Sequence, residues 1–201
     1  MKVTDIKQQV KRADRYSVFI DGKYRFSLSV AELSDLGIRK DLEISEPELS
    51  KLLGEAQTSL AKNNSLRFLS YRPRSLWEIE TYLKRKKYAP EVIVSTISFL
   101  SEKNFIGDKQ FAKQWVENRL LLKHVSVRQL KQELRQKKVS DETISEVLEE
   151  QQIDEIPIIK ELIAKKRQQP KYRDDLKLMQ FLARRGYSYD KIQIALGRRA
   201  E

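Results

Sequence analysis

Cysteine is absent from this chain of 201 residues, and histidine occurs only once, at His124. Without cysteine, the chain can form neither a disulfide framework nor a cysteine-ligated zinc site. A single histidine argues against a histidine metal cluster and against a Ser-His-Asp triad. We therefore expect no metal and no cofactor.

Long apolar runs are missing as well, since no stretch of about 18 apolar residues occurs anywhere in the sequence. The first residues, MKVTDIKQQVKR, lack the apolar centre of a secretory signal peptide. The sequence thus predicts neither a membrane span nor an export signal, and we expect a cytoplasmic protein.

Acidic residues are outnumbered by basic ones. The chain has 40 lysines and arginines against 29 aspartates and glutamates, which gives a net charge of +11 at pH 7. Most of the excess lies in residues 55–107 and 154–201. This balance favours a polyanionic partner, either nucleic acid or a protein filament that carries it, although a soluble protein with a basic surface would show the same balance.

A helical pattern occurs three times in the chain. In each copy a capping residue, an amphipathic helix, a basic exit, a short turn and a second helix follow in the same order. Six positions of the second copy recur in the first at a shift of 51 residues and in the third at a shift of 48. They are Ser126, Leu130, Leu134, Val139, Ile144 and Leu148. Such periods are typical of stacked helical repeats. Trp77 and Trp115 align with the apolar stripes, so we expect them in the core.

We therefore predict a mainly α fold, with tandem three-helix repeats that form an elongated, curved body and a small β-hairpin unit at the N-terminus. The predicted boundaries are 1–44 for the β unit, 45–107 for a linker helix with repeat one, 108–153 for repeat two and 154–201 for repeat three. Ser45 and Glu48 have the spacing of a capping box, which predicts the start of the linker helix. We expect that helix to end at Arg72, because a residue before proline is pushed out of the helical region.

Asp21-Gly22 separates two strand-like segments and supplies the positive φ angles of a type I′ hairpin turn. Across that turn Phe19 is expected to face Tyr24. Strict alternation then predicts one inward face of the hairpin. Its members are Phe19, Tyr24, Phe26 and Leu28.

Basic residues form a stripe along the middle helix of repeat two. The spacing i, i+3, i+7 and i+10 places on one face Arg128, Lys131, Arg135 and Lys138. Like charges this close cost stability. The stripe therefore indicates either a solvated face or a contact with phosphates or an acidic surface. Arg119 and Lys123 end the preceding helix and extend this patch.

Four short stretches carry a family resemblance. They are Leu69–Ser75 (LSYRPRS), Phe111–Arg119 (FAKQWVENR), Leu130–Leu134 (LKQEL) followed by Lys137, and Phe181–Tyr187 (FLARRGY). In this order and spacing they resemble the RecX family, the regulators of the RecA recombinase, over about residues 56–197. The N-terminal β unit is similar to an extension found in some members. Family members often have glycine where this chain has Asn104 and Lys138, and also near Lys87, so we expect those turns to differ in detail.

The resemblance implies a non-enzymatic regulator that acts in DNA repair, recombination and the SOS response. Such proteins lie along the groove of the RecA–single-stranded-DNA filament, where they inhibit or retune its ATPase, strand-exchange and co-protease activities. We expect a monomer that contacts the filament through basic residues chosen for their charge and position. These candidates are Arg119, Lys123, Arg128, Lys131, Arg135, Lys84, Arg85, Arg184 and Arg185.

Two other classes of protein stay open. One is a helical repeat protein that binds single- or double-stranded DNA weakly and without sequence preference, since a three-helix unit resembles helix-turn-helix modules. The other is an enzyme that uses the notable carboxylates of the repeats. The capping and surface positions of these carboxylates argue against that role. They are Glu78, Glu80, Asp108 and Glu133.

Overall fold

The computed structural model describes residues 1–122 and 124–198 of the chain. These residues form a small antiparallel sheet followed by α-helices, so the predicted mainly α class is confirmed. The strands are β1 (Val3–Gln9), β2 (Arg12–Ile20) and β3 (Lys23–Ser29). The helices are α1 (Val30–Asp35), α2 (Glu46–Ser70), α3 (Leu76–Arg85), α4 (Pro90–Glu102), α5 (Asp108–Leu122), α6 (Val127–Gln136), α7 (Asp141–Glu150), α8 (Glu155–Arg167), α9 (Asp175–Arg184) and α10 (Tyr189–Ala195), with a 3-10 turn at Pro170–Tyr172.

The sheet has the strand order β1-β2-β3, and both neighbouring pairs are antiparallel. The hairpin predicted around Asp21 and Gly22 is present, with φ angles of 48° and 74° at the two turn residues. Phe19 pairs with Tyr24 across the turn, as expected. The N-terminal unit is therefore the predicted hairpin with a third strand added on the free side of β2.

A β-bulge beside the hairpin turn alters the predicted inward face. Phe19 pairs with Tyr24 but Val18 pairs with Phe26, so β3 advances two residues while β2 advances one. The extra residue turns Tyr24 away from the face that carries Phe26. Tyr24 is 55% exposed and packs edge-on against Phe19, with 6.1 Å between ring centroids. The prediction is therefore wrong for Phe19 and Tyr24, and the buried face consists of Val18, Ile20, Phe26 and Leu28.

A buried guanidinium joins the sheet to α2. Arg15 on β2 is 1% exposed, and it donates hydrogen bonds to the hydroxyls of Ser27 (3.2 Å) and Ser59 (3.0 Å) and to the Ser27 carbonyl. A buried charge is tolerated only when it is hydrogen-bonded, as it is here. Around it the sheet and α2 share one apolar core, which includes Val3, Ile20, Leu28, Leu49 and Ala56.

The linker helix α2 is continuous from Glu46 to Ser70. Its start is the predicted capping box, in which the Glu48 amide donates to Ser45 Oγ and the Ser45 amide donates to Glu48 Oε2. The last helical residue is Ser70, two residues before the predicted Arg72, and Tyr71 is the C-cap. Arg72 precedes proline and so cannot hold a helical conformation itself, which stops the helix earlier.

The middle helix of each repeat ends in the same left-handed turn. Lys87 follows α3, Lys138 follows α6 and Gly186 follows α9, with φ angles of 60°, 60° and 89°. In every case the amide of this residue donates three residues back and the next amide donates five residues back, which is a Schellman motif. The two lysines therefore adopt the turn that glycine adopts in repeat three.

Repeats two and three each enclose an apolar core. The core of repeat two includes Phe111, Val116, Leu130, Leu134 and Ile144, and that of repeat three includes Ile159, Leu178, Leu182 and Ile192. Trp115 packs on the core of repeat two as expected, whereas Trp77 is 40% exposed and its prediction is wrong. The chain divides into two compact units, one of Met1–Arg74 with Glu78–Phe105 and one of Ser75–Trp77 with the residues from Ile106 onward. Repeats two and three therefore lie within the second unit.

Candidate functional site

A cleft of about 800 Å³ opens in the second unit, between α6 of repeat two and the C-terminal end of α9 in repeat three. Four of the basic residues chosen from the sequence line it, although the longest separation between them is 66 positions in the chain. They are Arg119, Arg128, Arg184 and Arg185. We call this feature the arginine cleft.

The arginine cleft exists because the end of α9 sits directly against the start of α6. The Ser126 hydroxyl, which caps α6 through the Gln129 amide (3.1 Å), donates to the Arg185 carbonyl at 2.7 Å. A Cβ atom on Gly186 would lie 2.7 Å from Ser126 Oγ and 3.3 Å from Arg128 Cβ. Only glycine allows this approach, and its φ angle of 89° also favours glycine.

A buried carboxylate of repeat three also contacts the start of α6. Glu155, the first residue of α8, is 5% exposed. Its Oε1 accepts from the Val127 amide at the start of α6 (2.8 Å), and its Oε2 accepts from Lys191 Nζ (2.5 Å). An acidic group at a helix N-terminus satisfies free amides and complements the helix dipole. Repeat three thus caps the middle helix of repeat two.

The same device occurs one repeat earlier in the second unit. Asp108, the first residue of α5, accepts a hydrogen bond from the Leu76 amide at the start of α3 (2.9 Å). Burial raises the pKa of the Asp108 carboxyl above its ordinary value, although the Leu76 amide opposes that rise. The carboxylates considered for catalysis therefore have structural partners: Asp108 with Leu76, Glu78 with Arg72, Glu80 with Lys84 and Glu133 with Arg119.

Arg119 forms one wall of the arginine cleft, and its charge is balanced inside the protein. Its Nε donates to Glu133 Oε2 at 2.8 Å, and its Nη2 donates to Oε1 of the same carboxylate. Trp115 Nε1 and Gln129 Nε2 also donate to Glu133, at 2.9 and 3.1 Å. Burial alone would raise the pKa of the Glu133 carboxyl, but these hydrogen bonds and the charge of Arg119 outweigh it and leave that pKa below its ordinary value.

The other three arginines give the cleft its positive charge. Arg128, Arg184 and Arg185 are exposed, and none of them forms an ion pair with any residue that the structure describes. The Arg185 guanidinium lies 5.1 Å from the ring centroid of Phe181 and donates to the His124 carbonyl at 3.5 Å. Guanidinium groups with unoccupied donor edges bind carboxylates and phosphates in a bidentate manner.

Glutamines on α6 were not among the residues chosen from the sequence. Their spacing of i, i+3 and i+7 places on one face, along the arginine cleft, Gln129, Gln132 and Gln136. This spacing was visible in the sequence, but neutral residues did not stand out beside the basic stripe. Their amides add hydrogen-bond donors and acceptors to a site that otherwise offers mainly positive charge.

The remaining candidates lie outside the arginine cleft. Lys131 is half-buried on α6, and Arg135 on the same helix is ion-paired with Asp141 at 2.6 Å. Lys84 is ion-paired with Glu80 at 2.6 Å, while Arg85 is exposed. Lys84 and Arg85 belong to the first unit. Lys123 lies outside the described residues.

Comparisons with known proteins match most of the chain to one family. Sequence models of the RecX N-terminal domain and of the first, second and third three-helix domains of RecX match residues 1–45, 61–100, 108–148 and 154–196. The protein named Regulatory protein RecX from Bacillus subtilis (strain 168) is 30% identical over 203 residues, which cover 96% of this chain and 75% of the relative. The chain belongs to the RecX family.

Other members of the family agree with this assignment. Regulatory protein RecX from Lactobacillus johnsonii is 34% identical over 148 residues, and the chain spans 54% of that relative's length. A crystal structure of regulatory protein RecX has a TM-score of 0.74 at 25% identity and covers 98% of this chain. The crystal structure of RecX from Lactobacillus salivarius, at 23% identity and a TM-score of 0.64, shares the fold over 70% of this chain. The tandem three-helix repeats predicted from the sequence are therefore RecX domains.

Two searches of the described residues were negative. None of their helices is long and apolar enough to cross a membrane. No group of three or more histidine, cysteine, aspartate or glutamate side chains within the described part of the chain is arranged to hold a metal ion.

Proposed function

We propose that this RecX family member is a non-enzymatic regulator that binds the RecA–single-stranded-DNA filament. In this proposal it mainly inhibits the ATPase, strand-exchange and co-protease activities of the filament. Family membership supports a regulatory role, since the relatives are named regulatory proteins. The choice of partner comes from the family resemblance and from the net charge of +11, which favours a long polyanion.

The arginine cleft is the observation on which the proposed contact depends. Arg128, Arg184 and Arg185 have no acidic partner among the described residues and lie at a concave site, where carboxylates or phosphates of a filament would pair with them. Arg119 is placed differently, because Glu133 already balances its charge. We therefore assign filament contact to the first three arginines and a positioning role to Arg119.

Repetition of the fold supports a binding role as well. Tandem repeats contact mainly their neighbours, so equivalent surfaces recur along the chain at the spacing of the repeat. A filament also repeats its surface, once for every protomer. Several weak contacts to one filament then act together through their effective concentration, and no single tight site is needed.

Charge reversal in the arginine cleft tests this function. Arg128→Glu with Arg184→Glu should raise the concentration that half-inhibits RecA ATPase on single-stranded DNA by about tenfold or more, because each lost charge-assisted contact corresponds to about 1.5–3 kcal/mol. The matched control is Lys160→Glu with Lys165→Glu, two exposed lysines of α8 outside the cleft, which alters the net charge equally. Equal effects of the two double variants would mean that total charge, and not the arginine cleft, determines inhibition.

Direct binding of nucleic acid is the second candidate function. The glutamine face of α6 favours it, since amide groups beside arginines contact base edges and phosphates in many nucleic-acid complexes. The logarithm of the association constant for a bare oligo(dT) strand would then fall steeply and linearly with the logarithm of salt concentration. If the wild-type chain bound bare strands as tightly as RecA-coated strands, this second function would replace the first.

A further inference from the structure

The residue that directly follows the middle helix is basic in every repeat. These residues are Lys86 after α3, Lys137 after α6 and Arg185 after α9. They are equivalent, because the repeat shifts of 51 and 48 residues separate them. When residues 75–99, 126–150 and 174–198 are aligned with these shifts, no other position is basic in all three copies. We call these three residues the exit cations.

Each exit cation lies over an aromatic ring of its own repeat. Cations within about 6 Å of a ring centroid are attracted to the face of the ring. The three pairs, with the distance from the lysine Nζ or the guanidinium carbon to the ring centroid, are Lys86 with Tyr82 at 5.9 Å, Lys137 with Trp115 at 5.4 Å and Arg185 with Phe181 at 5.1 Å. The same kind of contact therefore occurs once in each repeat.

Repeat two makes this contact with a ring from a different helix. In repeats one and three the ring belongs to equivalent positions of the middle helix, Tyr82 and Phe181, but the equivalent residue of repeat two is Glu133. There the ring is Trp115 of α5, whose Nε1 donates to Glu133 Oε2 at 2.9 Å. Glu133 thus holds the replacement ring beside α6. The contact is present although its ring comes from another helix, which indicates that the position of the cation matters beyond the local pattern of one helix.

The ends of the middle helices do not require the exit cations. A basic residue in the last turn complements the helix dipole, and each helix already has one there: Arg85 in α3, Arg135 in α6 and Arg184 in α9. Lys86 and Arg185 are exposed, and neither has an acidic partner among the described residues. Their charges are therefore available to a ligand.

We propose that the exit cations are phosphate-binding residues, each of which contacts one phosphate of a single DNA strand. The inference rests on the proposed function and deepens it, since it assigns the DNA strand of the filament, and not RecA, as the ligand of these three residues.

The chemistry of the exit cations favours phosphate over carboxylate. Two of them are lysines and one is an arginine, so the bidentate fork of a guanidinium is not required. Lysine binds phosphate as a point charge, and a DNA strand presents the same charge at every nucleotide. The ring beneath each cation also restricts a long side chain, which reduces the conformational entropy that is lost when a phosphate binds.

Neutralisation of all three exit cations tests the inference. The variant carries Lys86→Gln, Lys137→Gln and Arg185→Gln, and its binding is measured over a series of salt concentrations. Two probes are used: oligo(dT), and a RecA filament assembled on oligo(dT) with a non-hydrolysable ATP analogue. On both probes the plot of the logarithm of the association constant against the logarithm of salt concentration should become shallower. The expected change is about 0.7 for each lost phosphate contact, and about two in all, because fewer counterions are released.

A charge-preserving variant separates charge from side-chain shape. Lys86→Arg with Lys137→Arg and Arg185→Lys keeps a cation at each position, so the salt dependence should stay that of the wild-type chain. A flattened salt dependence in this variant would overturn the inference, because the ligand would then recognise more than a point charge.

The matched control neutralises one exposed lysine of each repeat that does not lie over a described aromatic ring. It carries Lys103→Gln, Lys138→Gln and Lys160→Gln. This control should leave the salt dependence unchanged. An equal change in the control and in the exit-cation variant would overturn the inference, since total charge would then determine binding.

Two further results would overturn the inference. A lower affinity of the glutamine variant for the filament at an unchanged salt slope would assign the exit cations to carboxylates of RecA, because condensed counterions surround the DNA strand. A loss of helical content by circular dichroism in the glutamine variant would show that the exit cations only hold the helix ends.

The wild-type chain by itself decides the proposed function. If it binds oligo(dT) through the exit cations but does not bind the RecA filament, the proposed function is rejected and only the phosphate contact remains. If it binds the filament and the glutamine variant keeps the wild-type salt slope, the inference is rejected and the proposed function remains. Binding to neither probe would reject both.

Discussion

Repeats two and three use the same turn under opposite constraints. Lys138 and Gly186 occupy equivalent positions after α6 and α9, and both have positive φ angles. Lys138 is exposed, so its side chain has space and only its backbone is strained. Gly186 has no space for a Cβ atom, because Ser126 and Arg128 of repeat two lie against it. The backbone conformation of this turn is therefore the same in both repeats. Whether a side chain fits at the turn depends on how closely the neighbouring repeat packs against it.

The middle helices of the two repeats also differ, in the side chain that ties each of them to a neighbouring segment. Glu133 on α6 and Phe181 on α9 are equivalent, since they are separated by the repeat shift of 48. Glu133 holds Arg119 and Trp115 of α5 by hydrogen bonds, whereas Phe181 packs on the ring of Tyr172 at 5.2 Å between centroids. One repeat ties its helices together with an ionic network and the other with aromatic packing, so the two should respond differently to pH.

The largest effect is expected at the joint between the two repeats. Gly186→Ala should lower the free energy of unfolding by about 2–4 kcal/mol, because it adds backbone strain to a steric overlap with Ser126. Urea denaturation measures this change. The same substitution at Gly54, inside α2 with open space around its Cα, should be neutral or stabilising. A fully stable Gly186→Ala variant would show that the joint can open without cost.

An intermediate effect is expected from the ionic network. Glu133→Gln should lower the free energy of unfolding by about 1.5–3 kcal/mol at pH 7, since it removes charge-assisted hydrogen bonds to a half-buried arginine. The pKa of Glu133 is lowered by folding, so its contribution is present above the pKa of the unfolded chain and is lost as pH falls through the folded value.

Denaturation at a series of pH values therefore separates the two repeats. The difference in stability between the wild-type chain and the Glu133→Gln variant should shrink as the pH falls below about 4.5, the ordinary range of a glutamate. Phe181→Leu in repeat three should instead give a difference that does not depend on pH in that range, because the described partners of this ring are Tyr172, Lys166 and Arg185 and not carboxylates. A Glu133→Gln difference that stayed constant into acid would contradict the role given to this carboxylate.

The smallest effect is expected at the turn after α6. Lys138→Gly should raise the free energy of unfolding by about 1 kcal/mol, because glycine adopts a φ of 60° without strain. Thermal or urea denaturation measures this gain. Lys131→Gly, in the helical interior of α6, should instead lower the free energy of unfolding by a similar amount. If Lys138→Gly destabilised the chain, the lysine side chain would have to supply a stabilising contact at this turn.

Much of the fold follows from patterns within about ten residues. Ser45 with Glu48 predicts the start of α2, the Asp21-Gly22 turn predicts the hairpin, and the apolar periods predict the helices of the repeats. The predicted inward face was wrong for Phe19 and Tyr24, since a bulge depends on the fit between strands and not on either strand alone. Trp77 was misplaced for a similar reason, because helical spacing does not state whether a neighbour covers that position.

The candidate site was only half visible in the sequence. Charge and position selected Arg128, Arg184 and Arg185, but they equally selected Arg135 and Lys84, which have acidic partners in the folded chain. Arg119 meets Glu133 across 14 positions of the chain, and nothing in either local pattern predicts that pairing. Such contacts depend on how helices pack, and packing is decided by the whole core.

By itself, the sequence determined that this chain contains tandem three-helix repeats, a net positive charge and no thiol, because composition, caps and periodicity act locally. Only the tertiary structure decided which arginines lack an acidic partner among the described residues, since the approach of Gly186 to Ser126 brings the end of α9 against the start of α6 and creates the arginine cleft. The physical reason is that the partners of a side chain depend on how the helices pack, and packing is decided by the whole core and not by the pattern of one helix.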